Sequence, residues 1–160
     1  MSTSLEYNSI EEYVAILASD EPSFSRHQAL VEFGREFATT ESKPSWLVHG
    51  PMKACFTNAQ RGALTRPGLF YVEGYAVEFD LGIPMEHAWL SNAEGFVIDP
   101  TWNDPANCGY YGIAFTNSFL KEHSQFAQGA GLLHPPLMRR RYSTREAFSL
   151  GVAVQFASKR

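Results

Sequence analysis

The fold is decided by residues 70–100, FYVEGYAVEFDLGIPMEHAWLSNAEGFVIDP. Aromatic and β-branched residues dominate 70–79, a composition typical of a strand. Two further runs, 86–91 and 96–99, have the same character, and the short connection between them ends in Gly95, which is typical of a hairpin. Because these predicted strands follow one another closely, the sequence predicts an antiparallel sheet.

Helices are predicted on both sides of this sheet. Ser9 followed by Glu12 fits a capping box, in which side chains satisfy the exposed amide groups of a helix start. A second helix is expected to begin at Ser23 or Ser25 and to present apolar residues as far as Phe37. The other predicted elements are a short helix over 54–64, a strand over 111–115, helices over 117–128 and 144–150, and a strand over 152–156. Helices first and antiparallel strands afterwards indicate an α+β fold.

The length of the chain, 160 residues, is that of one ordinary domain. Its hydrophobic content of 44% and its charged content of 19% are typical of a globular protein. We therefore predict a single domain over 1–160. Within it we expect a helical N-terminal part over 1–45, a catalytic core over 46–115, and C-terminal helices and a strand over 116–160.

Charge and cysteine content limit the expected partners and compartment. The formal net charge is -4, so nucleic acid is not an expected partner, and the basic run over 139–141 is interpreted as a solvated surface. No run approaches the ~20 apolar residues that a membrane-spanning helix needs. Residues 1–8 lack the pattern of a secretory signal. Since Cys55 and Cys108 do not make a disulfide framework, the expected compartment is the cytosol.

Cys55 is the candidate nucleophile. It follows the Gly50-Pro51 pair, at the start of the helix predicted over 54–64. A thiolate attacks carbonyl groups well, but a free cysteine is mostly protonated at neutral pH and needs a helix N-terminus or an imidazole to activate it. The backbone amides of a helix start also point toward the carbonyl that the sulfur attacks. They therefore provide one oxyanion donor.

His87 and Asp99 are the candidate base and the group that orients it. Each lies in one of the two strands that the predicted hairpin joins. If the hairpin is centred on Ala93, the two side chains are direct cross-strand partners on one face, with β-carbons about 5 Å apart. A carboxylate in that place holds an imidazole in one tautomer. A slip of one residue in the register would put the two on opposite faces.

Three motifs in this region resemble those of the transglutaminase-like branch of the papain-like superfamily. They are KACFTNA over 53–59, EHAW over 86–89 and VIDPTW over 97–102, and the resemblance covers roughly 46–115. That superfamily orders its triad as Cys, His, Asp, with the nucleophile at a helix start and the other two residues on adjacent antiparallel strands. The resemblance implies a nucleophile helix packed on an antiparallel sheet, and acyl transfer through a thioester on Cys55 without a metal or another cofactor.

The second oxyanion donor is less evident from the sequence. His49 lies six residues before Cys55, where papain-like enzymes often have a side-chain amide. A donor imidazole would serve the same purpose, although a loop histidine with no role in catalysis is the alternative. Trp46 and Asn58 are the other candidates for this donor.

Four residues of the predicted sheet and its connections are candidates for the substrate cleft. Tyr71 and Glu73 share one face of the strand before His87. They either line the cleft, where they would contact a substrate, or lie on a solvated face. Trp89 and Trp102 are expected among the aromatic residues of the cleft.

Two other functions stay open besides that of a cysteine-dependent amidase, peptidase, deamidase or transglutaminase-like enzyme. A catalytically inactive binding module would have the same fold and the same residues. Cys55, His87 and Asp99 are also possible zinc ligands, but a closely spaced ligand pair such as Cys-x-x-Cys is missing from the sequence. The favoured partner is a peptide-like or other acyl or amide substrate, with no nucleic acid and no membrane.

Overall fold

The computed structural model describes residues 9–21, 24–40, 42–124, 129–133, 138 and 145–153. The helices are α1 (Ile10–Ser19), α2 (Arg26–Phe33), α3 (Cys55–Thr65), α4 (Asn117–His123) and α5 (Arg145–Ser149). The strands are β1 (Arg35–Phe37), β2 (Phe70–Glu78), β3 (Pro84–Ser91), β4 (Val97–Ile98) and β5 (Cys108–Phe115), and a 3₁₀ turn spans Pro105–Asn107. None of the described helices is long and apolar enough to cross a membrane.

The strands form one antiparallel sheet in the order β1-β5-β2-β3-β4. The longest strand, β2, lies in the middle and pairs with β3 on one side and β5 on the other. In the β2–β3 register, Glu73 pairs with Ala88 and Gly74 pairs with His87. Since side chains alternate along a strand, Glu73 and His87 therefore lie on opposite faces of the sheet.

Each face of the sheet supports its own hydrophobic cluster. The larger cluster joins the helices to the sheet, with Ala59 and Ala63 of α3 beside Leu90 of β3. The smaller cluster lies on the other face and includes Trp89 and Tyr110. The helix that begins at Cys55 is thus fixed against the sheet by small apolar residues, which let the two elements approach closely. The α+β fold expected from the sequence is confirmed, with α3 packed on β2 and β3.

A serine cap marks the start of each of the two N-terminal helices. The Ser9 side chain accepts a hydrogen bond from the Glu12 amide at 3.1 Å, and the Ser25 side chain accepts one from the Gln28 amide. Both serines are N-cap residues in extended conformation, as predicted.

The prediction that the second helix continues to Phe37 is wrong. Helix α2 ends at Phe33, and Gly34 has extended backbone angles. The next residues form β1, in which Glu36 pairs with Tyr111 of β5. The N-terminal part over 1–45 is therefore not only helical. This strand depends on a partner far along the chain, which local periodicity does not indicate.

The C-terminal predictions are only partly within the described residues. Helix α4 ends at His123, and the rest of the helix predicted over 117–128 falls largely on 125–128, outside the described residues. Helix α5 agrees with the helix predicted over 144–150. Val152 forms a single antiparallel bridge with Phe115, while 154–156 and the basic run over 139–141 lie outside the described residues.

Candidate active site

Cys55 is the first residue of α3, and its thiol is free and partly exposed. The residue before it, Ala54, makes no side-chain capping bond to the helix. Ala54 therefore leaves the helix start without the side-chain oxygen that usually occupies its first amide groups. Lys53 has a positive φ of 68°, which turns the chain sharply into the helix.

Two hydrogen bonds connect the start of α3 to the segment that follows Asp99. The Gly50 amide donates to the Pro100 carbonyl at 2.8 Å. The Asn58 side-chain amide donates to the Thr101 hydroxyl at 2.9 Å and to the Pro51 carbonyl at 3.0 Å. A Cβ at Gly50 would lie 2.1 Å from the Asn58 side-chain oxygen, so the approach requires glycine. These contacts hold Cys55 beside the segment that follows Asp99.

His87 lies on β3 and is 1% exposed, and Asp99 directly follows β4 and is 0% exposed. The ring Nε2 of His87 lies 2.8 Å from Oδ2 of Asp99. The other ring nitrogen, Nδ1, is not used by Asp99, and Cys55 lines the same cleft as His87 and is among the groups that raise the pKa of the imidazole. The structure thus brings the three residues of the predicted triad together.

The register that brings His87 to Asp99 differs from the predicted one. Leu90 pairs with Ile98 and Ser91 with Val97, so the hairpin is not centred on Ala93 and the two residues are not direct cross-strand partners. The difference amounts to two positions along β4. A shift by two keeps every side chain on its face, because side chains alternate with a period of two. The carboxylate therefore still reaches the ring, along a diagonal.

Asp99 accepts hydrogen bonds at both carboxylate oxygens. Oδ1 accepts from the backbone amides of Thr101 and Trp102, at 2.8 and 2.9 Å. Oδ2 accepts from Tyr110, whose hydroxyl lies 2.7 Å away, as well as from His87. A carboxylate with donors at both oxygens has a fixed orientation, so it also fixes the ring that it contacts.

For both His87 and Asp99, burial opposes the charged form of the side chain, whereas hydrogen bonding favours it. Burial opposes the charged imidazolium, but the hydrogen bonds to Asp99 and Cys55 outweigh burial and raise the pKa of His87 to about 9. Burial also opposes ionisation of Asp99, but the hydrogen bond from His87 and those from Trp102 and Tyr110 hold the pKa of this carboxyl below its usual range. The pair therefore carries opposite charges near neutral pH.

A cleft of about 660 Å³ opens onto Cys55 and His87. Trp102 lines it and stacks on His87, with ring centroids 4.1 Å apart and an angle of 24° between the planes. Of the residues predicted for the oxyanion hole or the cleft, Trp102 alone lines this space. The remaining lining residues are Met52, Lys53, Phe56, Glu78, Met85, Glu86, Thr101, Asn103, Asp104, Asn107 and Cys108.

The three side chains predicted as oxyanion donors lie elsewhere. Trp46, His49 and Asn58 line a separate groove of about 330 Å³. The Trp46 ring is covered by the guanidinium of Arg66 at 3.8 Å, and the Asn58 amide is used in the two bonds described above. The placement of these residues leaves the backbone amides at the start of α3 as the donors nearest to the thiol.

Tyr71, Glu73 and Trp89 are buried and line neither the cleft nor a solvated face. Glu73 accepts hydrogen bonds from the Tyr71 hydroxyl and from the amides of Leu132 and Leu133, and burial raises its pKa. Glu73 therefore holds a distant segment against the sheet. Trp89 packs behind the site, with its ring 5.0 Å from that of Tyr110.

Tyr110 and Thr101 take part in the site in ways that the sequence did not indicate. Tyr110 is on β5, which is separated from β4 in the sheet by β2 and β3. Its bond to Asp99 depends on the curvature of the sheet, for which a single sequence has no local signal. Thr101 is 1% exposed, and its hydroxyl accepts a hydrogen bond from the side-chain amide of Asn58, which is far from it in the chain.

No family model, curated protein or solved structure matches this chain. In the part of the chain that the structure describes, there is no group of three or more His, Cys, Asp and Glu side chains that could hold a metal ion. The chemistry that Cys55, His87 and Asp99 can perform together is therefore what indicates a function.

Proposed function

We propose that the protein is a cysteine-dependent acyl-transfer enzyme, with Cys55 as nucleophile, His87 as general base and acid, and Asp99 as the residue that positions His87. The observation that supports this most strongly is the arrangement of the imidazole. Its Nε2 is bound to Asp99 at 2.8 Å, while the thiol at the start of α3 lines the same cleft as the ring and helps to raise its pKa. Nδ1 is then the atom that exchanges a proton with the thiol.

The first half of the reaction forms a thioester. The sulfur of Cys55 adds to the carbonyl carbon of the substrate while its proton resides on Nδ1 of His87. The tetrahedral intermediate then collapses, the bond to the leaving group breaks, and His87 returns the proton to that group. The acyl group remains on the sulfur.

The developing oxyanion is stabilised by amides at the start of α3. No side chain caps this helix, and Cys55 is its first residue, so the amide groups of the first turn lie next to the carbonyl under attack. The positive end of the helix dipole adds to the stabilisation of the oxyanion.

The second half of the reaction releases the acyl group. Water or an amine attacks the thioester, gives a proton to Nδ1 of His87, and forms an acid or an amide as the sulfur leaves. Amidase, peptidase, deamidase and transglutaminase-like activities all follow this course. The resemblance of the three motifs, together with a helix–sheet arrangement of the expected kind, favours a papain-like core acting in the cytosol, where thiols remain reduced.

The two alternatives account less well for the same contacts. A metal site would need free lone pairs on its ligands, but Nε2 of His87 and both oxygens of Asp99 are used in hydrogen bonds within the protein. An inactive binding module would have no need for a partly exposed thiol in the same cleft as an imidazole that is fixed by a buried carboxylate.

Acylation of the thiol by p-nitrophenyl acetate tests the proposal. We expect a stoichiometric burst of nitrophenolate, followed by slower turnover, and an acetyl group on the peptide that contains Cys55. Cys55→Ser is the matched control, because it keeps the size of the side chain and removes the thiolate. An equal burst in this variant, or acetylation of another residue, would exclude Cys55 as the nucleophile.

A further inference from the structure

Apolar side chains form part of the cleft that contains the nucleophile. Met52 and Phe56, which are close to Cys55 in the sequence, line this cleft, and Trp102 stacks on the His87 ring. Met85 precedes His87 by two residues on β3, so its side chain is on the same face of the sheet. An acyl group bound to the sulfur would therefore share the cleft with these four apolar side chains.

Two of these side chains are unusually exposed for their type. Met52 is 62% exposed and Met85 is 51% exposed, although both line the cleft. Methionine is flexible and polarisable, which lets it pack against apolar groups of different shapes. Apolar side chains exposed together at a concave site favour a ligand that covers them.

The charged residues of the cleft are mostly acidic. Glu78, Glu86 and Asp104 line it, and the cations there are Lys53 and the imidazolium of His87, whose charge is balanced by Asp99. Glu86 is paired with Arg26 at 3.1 Å, and the two carboxylates that are left exceed the one ammonium group of Lys53. A carboxylate on the acyl group would be repelled by this excess of negative charge, whereas a neutral group would not.

We propose that the acyl group transferred by Cys55 is uncharged and apolar, and that Met52, Phe56, Met85 and Trp102 form the pocket that receives it. This inference rests on the proposed function and adds the chemical class of the acyl donor. Each methylene that leaves water in such a pocket favours binding by about fourfold. Selectivity should therefore increase with the length of the acyl chain.

A series of p-nitrophenyl esters measures this selectivity. The acyl groups are acetyl, butyryl, hexanoyl and, as the charged counterpart of hexanoyl, the mono-ester of adipic acid. We expect kcat/KM to increase by at least about tenfold from acetyl to hexanoyl. The adipic mono-ester should fall well below hexanoyl, because its chain has the same length and ends in a carboxylate. The ester of N-acetyl-leucine shows whether a branched side chain next to an amide is accepted in place of a straight chain.

A pair of variants locates the pocket. Met85→Ser should lower the ratio of hexanoyl to acetyl kcat/KM by about fivefold, since it removes an apolar surface that the longer chain contacts. Leu81→Ser is the matched control. Leu81 is 63% exposed on the β2–β3 connection, four residues before Met85, but does not line the cleft, so its substitution should change the ratio by less than about twofold. The melting temperature shows that each variant is folded.

The outcomes separate this inference from the proposed function. If no burst occurs with the acetyl ester, the proposed function fails and the inference fails with it. If a burst occurs on Cys55 but hexanoyl is no better than acetyl, or the adipic mono-ester equals hexanoyl, the inference alone is overturned. A ratio that Met85→Ser and Leu81→Ser change equally would also contradict it, because the apolar contact would then not be in the cleft.

Discussion

Nε2 of His87 and Oδ2 of Asp99 lie 2.8 Å apart, although the two residues are not paired in the β3–β4 register. Both side chains are almost completely buried. The contact occupies Nε2 and leaves Nδ1 as the second ring nitrogen of a histidine that lines the same cleft as Cys55. Because Asp99 is itself held by two backbone amides and by Tyr110, the orientation of the imidazole is fixed before any substrate binds.

Asp99→Asn should reduce turnover by about 10- to 10³-fold, which corresponds to about 1.4 to 4 kcal/mol of barrier. The backbone amides at Oδ1 favour the amide oxygen on that side, so the new NH2 group would face His87 and favour the wrong tautomer. The rate of thiol alkylation against pH should also shift, because the carboxylate stabilises the imidazolium. Turnover and the pH profile of thiol alkylation are measured on the wild type and on the variant, and thermal melting shows that the variant is folded.

Tyr110→Phe serves as the matched control for that experiment. It removes one hydrogen bond to Oδ2 of Asp99 and leaves the bond to His87. We expect a loss of turnover below about tenfold. If Asp99→Asn leaves turnover and the alkylation profile unchanged, Asp99 has no part in the mechanism.

The ionisation of His87 should make stability depend on pH above neutrality. Its pKa is raised to about 9 in the folded protein, against about 6.5 in an unfolded chain. The folded state therefore binds the proton more tightly, and the stabilisation is fully present below pH ~6.5 and is lost as the pH rises through about 9. The difference between these pKa values corresponds to about 3 kcal/mol of unfolding free energy.

His87→Gln isolates this contribution, because groups that do not contact His87 titrate equally in both proteins and Asp99, with its lowered pKa, is already ionised in the wild type at pH 6. The excess stability of the wild type over the variant should be largest at pH 6 and should fall by about 3 kcal/mol by pH 10. Urea unfolding at pH 6, 8 and 10 measures it. An excess that stays constant over this range would mean that His87 does not hold its proton more tightly in the folded protein.

The two cysteines should differ sharply in their reaction with iodoacetamide at pH 7. Burial raises the pKa of the Cys108 thiol to about 11, so about one molecule in ten thousand has the thiolate at this pH. Cys55 is partly exposed and lines the same cleft as His87, so it should be alkylated first. Mass spectrometry of the two peptides gives the ratio of the rates, and the denatured chain, in which the rates should be similar, is the control. Faster labelling of Cys108 would contradict the arrangement.

Glu73→Gln should lower the unfolding free energy by about 2 to 4 kcal/mol without removing the reactivity of Cys55 in the folded protein. The amide nitrogen that replaces one carboxylate oxygen cannot accept from Leu132 or Leu133, so a buried backbone donor loses its partner. Glu73 lies on the face of the sheet opposite His87, so alkylation of Cys55 at pH 7 should stay near the wild-type rate. Denaturant unfolding and alkylation rates measure the two effects.

Glu36→Gln is the control for that prediction, because Glu36 is exposed on an edge strand. Its substitution should change stability by no more than about 0.5 kcal/mol. Slow alkylation of Cys55 in a folded Glu73→Gln variant would mean that Glu73 does influence the site.

Features that depend on neighbours in the chain were predictable from the sequence. The cap at Ser9, a second cap at one of the two candidate serines, and strand β2 with its aromatic and β-branched residues are examples, since each depends on a few adjacent residues. The order of Cys55, His87 and Asp99 on a helix start and two strands was indicated in the same way. Strand β1 was missed, because its only partner is β5, more than seventy residues away.

The sequence by itself determined the α+β fold class and the elements on which the three candidate catalytic residues lie. The tertiary structure alone decided which side chains face the cleft. Glu73 and Tyr71 are in the interior, and the Tyr110 hydroxyl donates a hydrogen bond to Asp99. His49 and Asn58 line a groove that is separate from the cleft with the thiol. The physical reason is that local backbone preference depends on adjacent residues, whereas burial, strand register and diagonal hydrogen bonds depend on residues that are distant in the chain.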